Sequence, residues 1–400
     1  MYDLHLSEEQ LAIRDTVRDF VTQEITPAAI HPDRLEPFDP PLPVEMIDSA
    51  AELGLRTLAL TEEVGGAGAD TLTCCLVAEE LAAGDVDVAS VLMETATLGG
   101  QLFGRLMSDE QRERFLPALL DDNSFHLAIA SHELGADTAL GINYHRPVSE
   151  ERTFETTATN APNGGWVLNG TKHRIANAPI AKLFVVEAAI GSGTGLFLVP
   201  RDAPGLLVDE IDRDGGWYHG ACGEVTLGDC QVQAENLLKA NGAGLGIGAV
   251  GGSPIAQAIN LGVTRAAFKA AVDYAKIRIQ GGQPIIEHQA IGAKLAGVAV
   301  SLETARSAIW QAAWASDHPE AQADGSLSNL PLTRVAQVAT AQQLYRATKD
   351  AAECFGAMGV MRDMPPQKYI HDTRMFLHTG DGSTDAKLRI AEALAGYYRS

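Results

Sequence analysis

The order in which hydrophobic periodicity changes along the sequence constrains the fold of this chain most strongly. Up to about Asp121, apolar residues recur at helical spacing. From Ser124 to about Leu238, short alternating and β-branched runs follow one another, separated by Gly and Asn turns. After Gly242 the chain is Ala-rich and helical again. This α–β–α order predicts a mostly helical α+β protein.

The 400 residues are enough for two or three domains. We predict a helical N-terminal domain over 1–122, a β domain, built as a barrel or sandwich, over 123–240, and a C-terminal four-helix bundle over 241–400. Ser7 followed by Gln10 is typical of a capping box that opens the first helix. The longest further predicted helices are Thr71–Gly84, Ala89–Leu106, Asp109–Leu120, Ile255–Ile277, His288–Asp317, Thr333–Cys354 and Asp385–Tyr398.

The net charge of −22 argues against nucleic acid and anionic membrane as partners. No apolar run reaches the roughly 20 residues that span a bilayer, and the acidic N-terminus has no basic region before an apolar core, so a cytoplasmic protein is expected. The five cysteines have no zinc spacing, and their odd number makes a poor disulfide framework. We expect reduced, mostly buried thiols and no metal site.

One stretch carries a specific signature. The sequence from Tyr274 to Gln289 reads Y-x-x-x-R-x-x-G-G-x-P-I-x-x-x-Q. It closely resembles the Y-x-x-x-R-x-x-F-G-x-P-I-x-x-x-Q signature of acyl-CoA dehydrogenase flavoproteins, with Gly281 in place of the Phe. Weaker matches occur in the same order as in that family: a Gly-rich loop over 54–68, the L-N-G-T-K segment beginning at Leu168, and the strand from Glu224 to Leu238.

The resemblance implies an FAD enzyme that oxidises an acyl-CoA thioester between its α and β carbons. It also implies electron-transfer flavoprotein or oxygen as the electron acceptor and an assembly of two dimers, either a homotetramer or a heterotetramer. By resemblance, Arg278 would reach the FAD pyrophosphate across a subunit interface, where a planar guanidinium suits phosphate. The other positions expected to contact FAD are Ile129, Ala130, Gly135, Ala136, Arg174, Ala176, Gln289, Glu353 and Ala357. For Arg278 and Gly135, a favourable charge at a helix end and a plain turn glycine are the alternative interpretations.

The family's α,β-dehydrogenation needs a carboxylate that accepts the α-proton, which usually lies in a Y-E-G-T segment near the C-terminus. Counted without a gap from His371 and Asp372, that position is Gly380, and a shift of one residue brings Asp381 there instead. Nitroalkane oxidases of the superfamily use an aspartate at this place, so Asp381 is the first candidate base.

Glu94 is the second candidate base. It lies on the predicted helix Ser90–Leu98, which lines the acyl pocket in the family. Some ring-acyl members carry their base in that region. The alternative interpretations are a loop residue for Asp381 and a solvent-facing helix residue for Glu94.

Several departures from the family pattern gather around the expected flavin. The usual Trp and Thr of the L-N-G-x-K segment are Arg174 and Ala176, and the Thr of the flavin loop is Ala130. An acid-x-Arg element aligns with Gly251–Pro254. Loss of one hydroxyl donor removes only about 1 kcal/mol. The departures leave three hypotheses open: a dehydrogenase with a displaced base, a non-catalytic or half-site subunit of a heteromeric dehydrogenase, and a sister activity such as nitroalkane oxidation or flavin-dependent hydroxylation.

Overall fold

The structure is a computed structural model that describes residues 5–35, 41–134, 154–162, 164–211, 219–238, 250–378 and 382–396. The predicted order of a helical domain, a β domain and a second helical domain is confirmed. No helix within these residues is long and apolar enough to cross a membrane.

The N-terminal domain is built from helices whose ends follow the sequence signals. Ser7 caps the first helix: its Oγ accepts from Gln10 N while Gln10 Oε1 accepts from Ser7 N, which is the predicted capping box. The predicted Ala89–Leu106 helix begins earlier, because Asp85 accepts hydrogen bonds from the first free backbone N–H groups, and its last five residues form a π-turn. The helices are α1 (Glu8–Phe20), α2 (Thr26–Ala29), α3 (Pro32–Leu35), α4 (Val44–Ala51), α5 (Thr71–Gly84), α6 (Val86–Gln101) and α7 (Asp109–Asp121).

The middle domain is one seven-stranded sheet. Its strands are β1 (His126–Ala130), β2 (Thr157–Asn160), β3 (Trp166–Ala176), β4 (Ala181–Ile190), β5 (Gly193–Pro200), β6 (Leu206–Glu210) and β7 (Cys222–Val232). The order is β1-β4-β2-β3-β7-β6, with β5 paired to β4. β1 runs parallel to β4, whereas β3 and β7 form a long antiparallel pair with two irregular registers.

The C-terminal domain is a helical bundle. Its elements are α8 (Pro254–Ile277), β8 (Ile279–Gln280), β9 (Gln283–Pro284), α9 (Gln289–Asp317), α10 (Glu320–Ala323), α11 (Leu332–Glu353), α12 (Pro365–Met375) and α13 (Gly382–Ala395). The last predicted helix, Asp385–Tyr398, therefore begins three residues earlier than expected, directly after Asp381.

The two helical domains share one hydrophobic core, so their relative position is fixed by packing. α5 and α8 approach so closely that a Cβ at Gly262 would lie 2.2 Å from the carbonyl oxygen of Glu79. Buried carboxylates reinforce this contact, since Glu80 pairs with Arg18 of α1 at 2.6 Å and with Arg265 of α8 at 2.5 Å. The site described below lies where α6 meets β1 and at one end of the C-terminal bundle.

Candidate active site

Two strand ends of the sheet meet at the predicted flavin site. The backbone N–H of His173 donates to the carbonyl oxygen of His132 at 3.0 Å, which joins the end of β3 to the segment after β1. His132 Nδ1 also bonds to the carbonyl oxygen of His173 at 2.9 Å. The four predicted flavin contacts on these two strand ends are Ile129, Ala130, Arg174 and Ala176. Ile129 and Ala130 are buried, whereas Arg174 is exposed.

Arg174 has an unusual backbone. Its φ is +54°, in the left-handed region, at an irregular register between Lys172 and Ile175 of β3. Such a bulge redirects a side chain at a strand end and is frequent next to active sites. Within the described part of the chain, the guanidinium of Arg174 forms no hydrogen bond or ion pair, so it is available to an anion.

A buried ion pair holds the segment that follows β1. Lys172 is fully buried, and its Nζ lies 2.6 Å from Glu133 Oε1. Glu133 also accepts from the backbone N–H groups of Glu155 and Thr156, at 2.7 and 3.0 Å. Burial is the largest single influence on the Glu133 carboxyl and raises its pKa, but the hydrogen bonds from Lys172, Thr156 and Glu155 and the charge of Lys172 together outweigh it, so the pKa is lowered. The predicted flavin contacts Gly135 and Ala136 lie outside the described residues.

A second group of predicted flavin contacts lies at one end of the C-terminal bundle. The rings of Tyr274 and Phe355 stack at 4.5 Å and so join the end of α8 to the end of α11. Arg278, expected in the last turn of α8, is instead the extended residue that caps it, with its N–H bonded to the carbonyl oxygen of Tyr274 at 2.9 Å. Its side chain is exposed and has no partner among the described residues.

The other three members of this group are also exposed. Gln289 is the first residue of α9, and Ala357 lies in the short 3₁₀ turn after α11. Glu353 is engaged by Lys294, an ion pair that lowers the pKa of the Glu353 carboxyl. The structure therefore gathers Arg278, Gln289, Glu353 and Ala357 at one end of the bundle and the strand contacts at the β1–β3 end. No described hydrogen bond or ion pair connects these two groups.

Glu94 is a buried carboxyl on α6. Only 4% of the residue is exposed. Its Oε2 accepts from the backbone N–H of Val250 at 2.8 Å, while its Oε1 is shielded from solvent and has no partner among the described residues. Burial raises the pKa of Glu94 to about 7, and the hydrogen bond from Val250 opposes that shift. The alternative interpretation of Glu94 as a solvent-facing residue is therefore wrong.

Asn177 fixes α6 against the sheet. Its Nδ2 donates to the carbonyl oxygen of Val91 on α6 at 3.0 Å and lies 3.3 Å from the carbonyl oxygen of Leu127 on β1. Its φ of +62° is in the left-handed region, which asparagine tolerates better than most residues. One turn along α6, Thr95 Oγ1 lies 3.1 Å from Nδ1 of His126. Glu94 is thus held on a helix that is bonded directly to β1.

The other candidate base, Asp381, lies outside the described residues, as does Gly380. The helix that leads to them, α12, is anchored at Asp372. Its carboxylate pairs with Lys368 at 2.7 Å, and its carbonyl oxygen accepts from Nε2 of His219 at 2.8 Å. Burial lowers the pKa of His219 to about 4, so this imidazole is neutral near pH 7.

Three further polar side chains near the site were not predicted. Thr97 and Gln101 lie on the same face of α6 as Glu94, and each has a solvent-shielded oxygen with no partner in the described part of the chain. Arg334 of α11 lies against Gly252, where a Cβ would be 3.0 Å from its Nη1. The spacing of Thr97 and Gln101 from Glu94, which places all three on one face of a largely apolar helix, was the signal that could have revealed these two residues.

Sequence models of one protein family match most of the chain. Residues 7–123 match the N-terminal domain of acyl-CoA dehydrogenase, residues 148–230 the middle domain and residues 253–394 the C-terminal domain. The chain belongs to the acyl-CoA dehydrogenase family. Members of this family are oxidoreductases that generally use FAD to dehydrogenate acyl-CoA thioesters, which confirms the predicted cofactor and enzyme class.

Individual relatives match nearly the whole chain. It is 30% identical to an acyl-CoA dehydrogenase of Bacillus subtilis over 93% of this chain and 94% of that protein. It is 32% identical to the benzylmalonyl-CoA dehydrogenase of Aromatoleum aromaticum, over 98% of this chain and all of that protein. The solved butyryl-CoA dehydrogenase of Megasphaera elsdenii has the same fold, with a TM-score of 0.81 and 25% identity over 98% of this chain and all of that one. The roles of individual residues, the tetramer, the electron acceptor and the cytoplasmic location stay predictions.

Proposed function

We propose that this acyl-CoA dehydrogenase family member is a catalytically competent FAD enzyme that oxidises an acyl-CoA thioester at its α and β carbons, with Glu94 as the acceptor of the α-proton. The observation that carries the proposal is the state of Glu94: a buried carboxyl on α6, with one oxygen anchored by Val250 and the other without a partner among the described residues.

The described residues fit an FAD molecule in two respects. In a chain with a net charge of −22, Arg174 and Arg278 each present a guanidinium that is unpaired among the described residues, which suits the anionic pyrophosphate. In addition, Arg174 lies at the end of β3, which is bonded to the segment that follows β1, the strand of Ile129 and Ala130. When bound, the flavin supplies the acceptor for the hydride that leaves the β-carbon.

The exposed surface around Arg278 supports its action across a subunit interface. Ile277 is 77% exposed and Ile279 is 55% exposed on either side of it, and Val360 in the turn after α11 is 72% exposed. Large apolar side chains left exposed in this way are typical of an interaction surface. A second copy of the chain, or a related subunit, would cover them and bring Arg278 toward the β1–β3 end of its neighbour.

Glu94 has the properties of a general base near neutral pH. With its pKa raised to about 7, the carboxyl is ionised in a large fraction of molecules and still binds a proton readily. The backbone N–H of Val250 stabilises the anion at Oε2, so the free Oε1 is the atom that takes the proton from the α-carbon. The thioester carbonyl next to the α-carbon makes that proton acidic. Asp381 remains the alternative acceptor.

The proposal is tested by purifying the chain alone and recording its flavin content and its absorbance during anaerobic titration with short, medium and branched acyl-CoA thioesters. We expect a yellow protein whose flavin absorbance bleaches with at least one thioester. A protein that is colourless alone and yellow only with a co-purified second subunit would support the heteromeric hypothesis instead. Bleaching by nitroalkanes but not by acyl-CoA would support the sister activity.

A further inference from the structure

One face of α6 carries three buried polar atoms that have no hydrogen-bond partner within the residues that the structure describes. Glu94, Thr97 and Gln101 are separated by three and four residues, so their side chains project from the same side of the helix. The atoms concerned are Glu94 Oε1, Thr97 Oγ1 and Gln101 Oε1, all of them shielded from solvent. We call this face the α6 polar stripe.

The α6 polar stripe calls for a physical explanation because most of its neighbours are apolar. Val91, Leu92, Met93, Ala96 and Leu98 of the same helix are all at most 1% exposed. A buried polar atom without a hydrogen bond is unfavourable, and proteins keep such atoms chiefly where water or a ligand completes them. The adjoining start of α8 repeats the pattern, since Gln257 Nε2 and both side-chain polar atoms of Asn260 also lack partners in the described ranges, although both residues are fully buried.

The location of the stripe ties it to the proposed reaction. α6 is bonded to β1, the strand with the predicted flavin contacts Ile129 and Ala130, through Thr95 and the backbone N–H of Leu127 at 3.4 Å. At the other side Glu94 contacts Val250, four residues before α8 begins. The stripe begins at the proposed proton acceptor and continues along α6 for about 10 Å, from the helical rise of about 1.5 Å per residue.

The chemistry of the stripe selects a type of ligand. Ionised Glu94 and the amide oxygen of Gln101 accept hydrogen bonds, and the hydroxyl of Thr97 can accept or donate. A group that complements them supplies O–H donors. A carboxylate does not, because it would lie beside the charge of Glu94. An alkyl chain would leave every one of these atoms unpaired.

We propose that the acyl group of the substrate carries hydroxyl groups beyond its β-carbon, and that Thr97 and Gln101 recognise them. This inference rests on the proposed function, because Glu94 at the α-carbon sets the direction in which the acyl group lies along α6. From Glu94, Thr97 is about 4.5 Å and Gln101 about 10 Å along the helix axis. A hydroxyl on the middle of a chain therefore faces Thr97, and one at a longer distance faces Gln101.

The test measures binding without turnover. S-hexyl-CoA and S-decyl-CoA thioethers, whose α-carbon is not acidified by a carbonyl, are each compared with their ω-hydroxylated counterparts by titration calorimetry on the flavin-loaded protein. We expect the hydroxylated member of at least one pair to bind about tenfold more tightly, the effect of one well-formed buried hydrogen bond. Thr97→Val should remove this preference for the hexyl pair, and Gln101→Leu for the decyl pair.

Thr348→Val on α11 is the matched control. Its hydroxyl is buried too, but it is bonded to the carbonyl oxygen of Leu344 at 3.0 Å, so neither preference should change. Equal or tighter binding of the unsubstituted members in both pairs would overturn the inference and show that the stripe holds only ordered water. A preference that survives both α6 substitutions would also overturn it, as would failure of all four ligands to bind.

Flavin bleaching by the parent acyl-CoA thioesters is recorded separately. A hydroxyl preference without bleaching would reject the proposed function while retaining the binding site. Bleaching without a hydroxyl preference would reject the binding site alone.

Discussion

Glu94 Oε2 accepts a hydrogen bond of 2.8 Å from the backbone N–H of Val250, a residue 156 positions away in the sequence. The contact fixes one carboxylate oxygen, while the other, Oε1, has no partner among the residues described. Because a single N–H only partly compensates for the lost hydration, the pKa of Glu94 remains raised, at about 7. A proton acceptor on α6, in place of the family's usual carboxylate near the C-terminus, needs both properties: a fixed orientation and a free basic oxygen.

The first prediction concerns the pH dependence of stability. The pKa of Glu94 is about 7 in the folded protein, against about 4.5 for an exposed glutamate. The folded state therefore binds more protons than the unfolded state between these values, and the free energy of unfolding falls as pH rises from about 4.5 to 7. A difference of this size corresponds to a loss on the order of 3 kcal/mol.

Glu94→Gln should remove that loss. Urea unfolding from pH 4.5 to 8 measures the difference in the free energy of unfolding between the two proteins. The buried His126 and His219 are common to both proteins, so their contributions cancel in this difference. We expect the variant to gain stability relative to the natural protein as pH rises, with the gain complete above pH 7. A difference that does not vary with pH would show that Glu94 has an ordinary pKa.

The second prediction concerns the Lys172–Glu133 ion pair. Lys172→Met leaves the buried Glu133 carboxylate without its counter-charge, and breaking such a pair costs about 3–5 kcal/mol. Denaturant unfolding measures the loss. The control is Lys182→Met, because the Lys182–Asp122 pair, at 2.5 Å, is about 40% exposed on both sides and should contribute about 1 kcal/mol or less. Equal losses in the two variants would contradict the buried character of Lys172.

The third prediction concerns Gly281, which occupies the place of the family's Phe. Gly281 and Gly282 have φ values of +61° and +86° and form the two-residue loop between β8 and β9. Two positive φ angles in succession are typical of a type I′ hairpin turn, which favours glycine. Restoring the family residue with Gly281→Phe should therefore lower the free energy of unfolding, by about 1–2 kcal/mol.

Gly297→Ala on α9 is the contrasting control. A Cβ there meets no atom within 4 Å, and the helical backbone accepts it, so stability should rise by up to about 1 kcal/mol. A melting temperature that rises in the Gly281→Phe variant would contradict the left-handed turn.

The fourth prediction concerns Arg278. Arg278→Ala should weaken FAD binding about tenfold or more, because a charge-assisted hydrogen bond to phosphate contributes about 1.5–3 kcal/mol. The melting temperature of the flavin-free protein should not change, because the side chain is exposed and has no partner among the described residues. Arg346→Ala, an exposed arginine on α11, is the control that removes the same charge. Full flavin occupancy in the Arg278 variant after dialysis would count against the pyrophosphate contact.

The sequence was sufficient to predict the family and the three-part fold, since periodicity and local signals such as the Ser7 capping box are properties of neighbouring residues. Gly281 stood out in the sequence because it replaces the family's Phe. The reason for the glycine is a turn with two left-handed residues, and that turn depends on the pairing of β8 with β9. The burial of Glu94 could not be predicted, because the N–H that binds it comes from a distant segment.

The same limit applies to the flavin contacts. Resemblance placed Ile129, Ala130, Arg174 and Ala176 in one site, and the bonds between His132 and His173 join the two strand ends that carry them. Resemblance could not reveal that the Glu353 carboxylate forms an ion pair with Lys294. It also gave no indication that Arg334 fills the space beside Gly252, because both contacts join residues that are far apart in the sequence.

The most direct test of the account is the rate at which an acyl-CoA thioester reduces the bound flavin under anaerobic conditions, followed by stopped-flow absorbance in the natural protein, Glu94→Gln and Asp381→Asn. We predict that Glu94→Gln retains its flavin and binds the thioester but loses reduction by at least a hundredfold, the lower end of the contribution of a general base. Asp381→Asn should reduce its flavin at close to the natural rate. Rapid bleaching in the Glu94→Gln variant, with loss of bleaching in Asp381→Asn, would contradict the assignment of Glu94 as the proton acceptor.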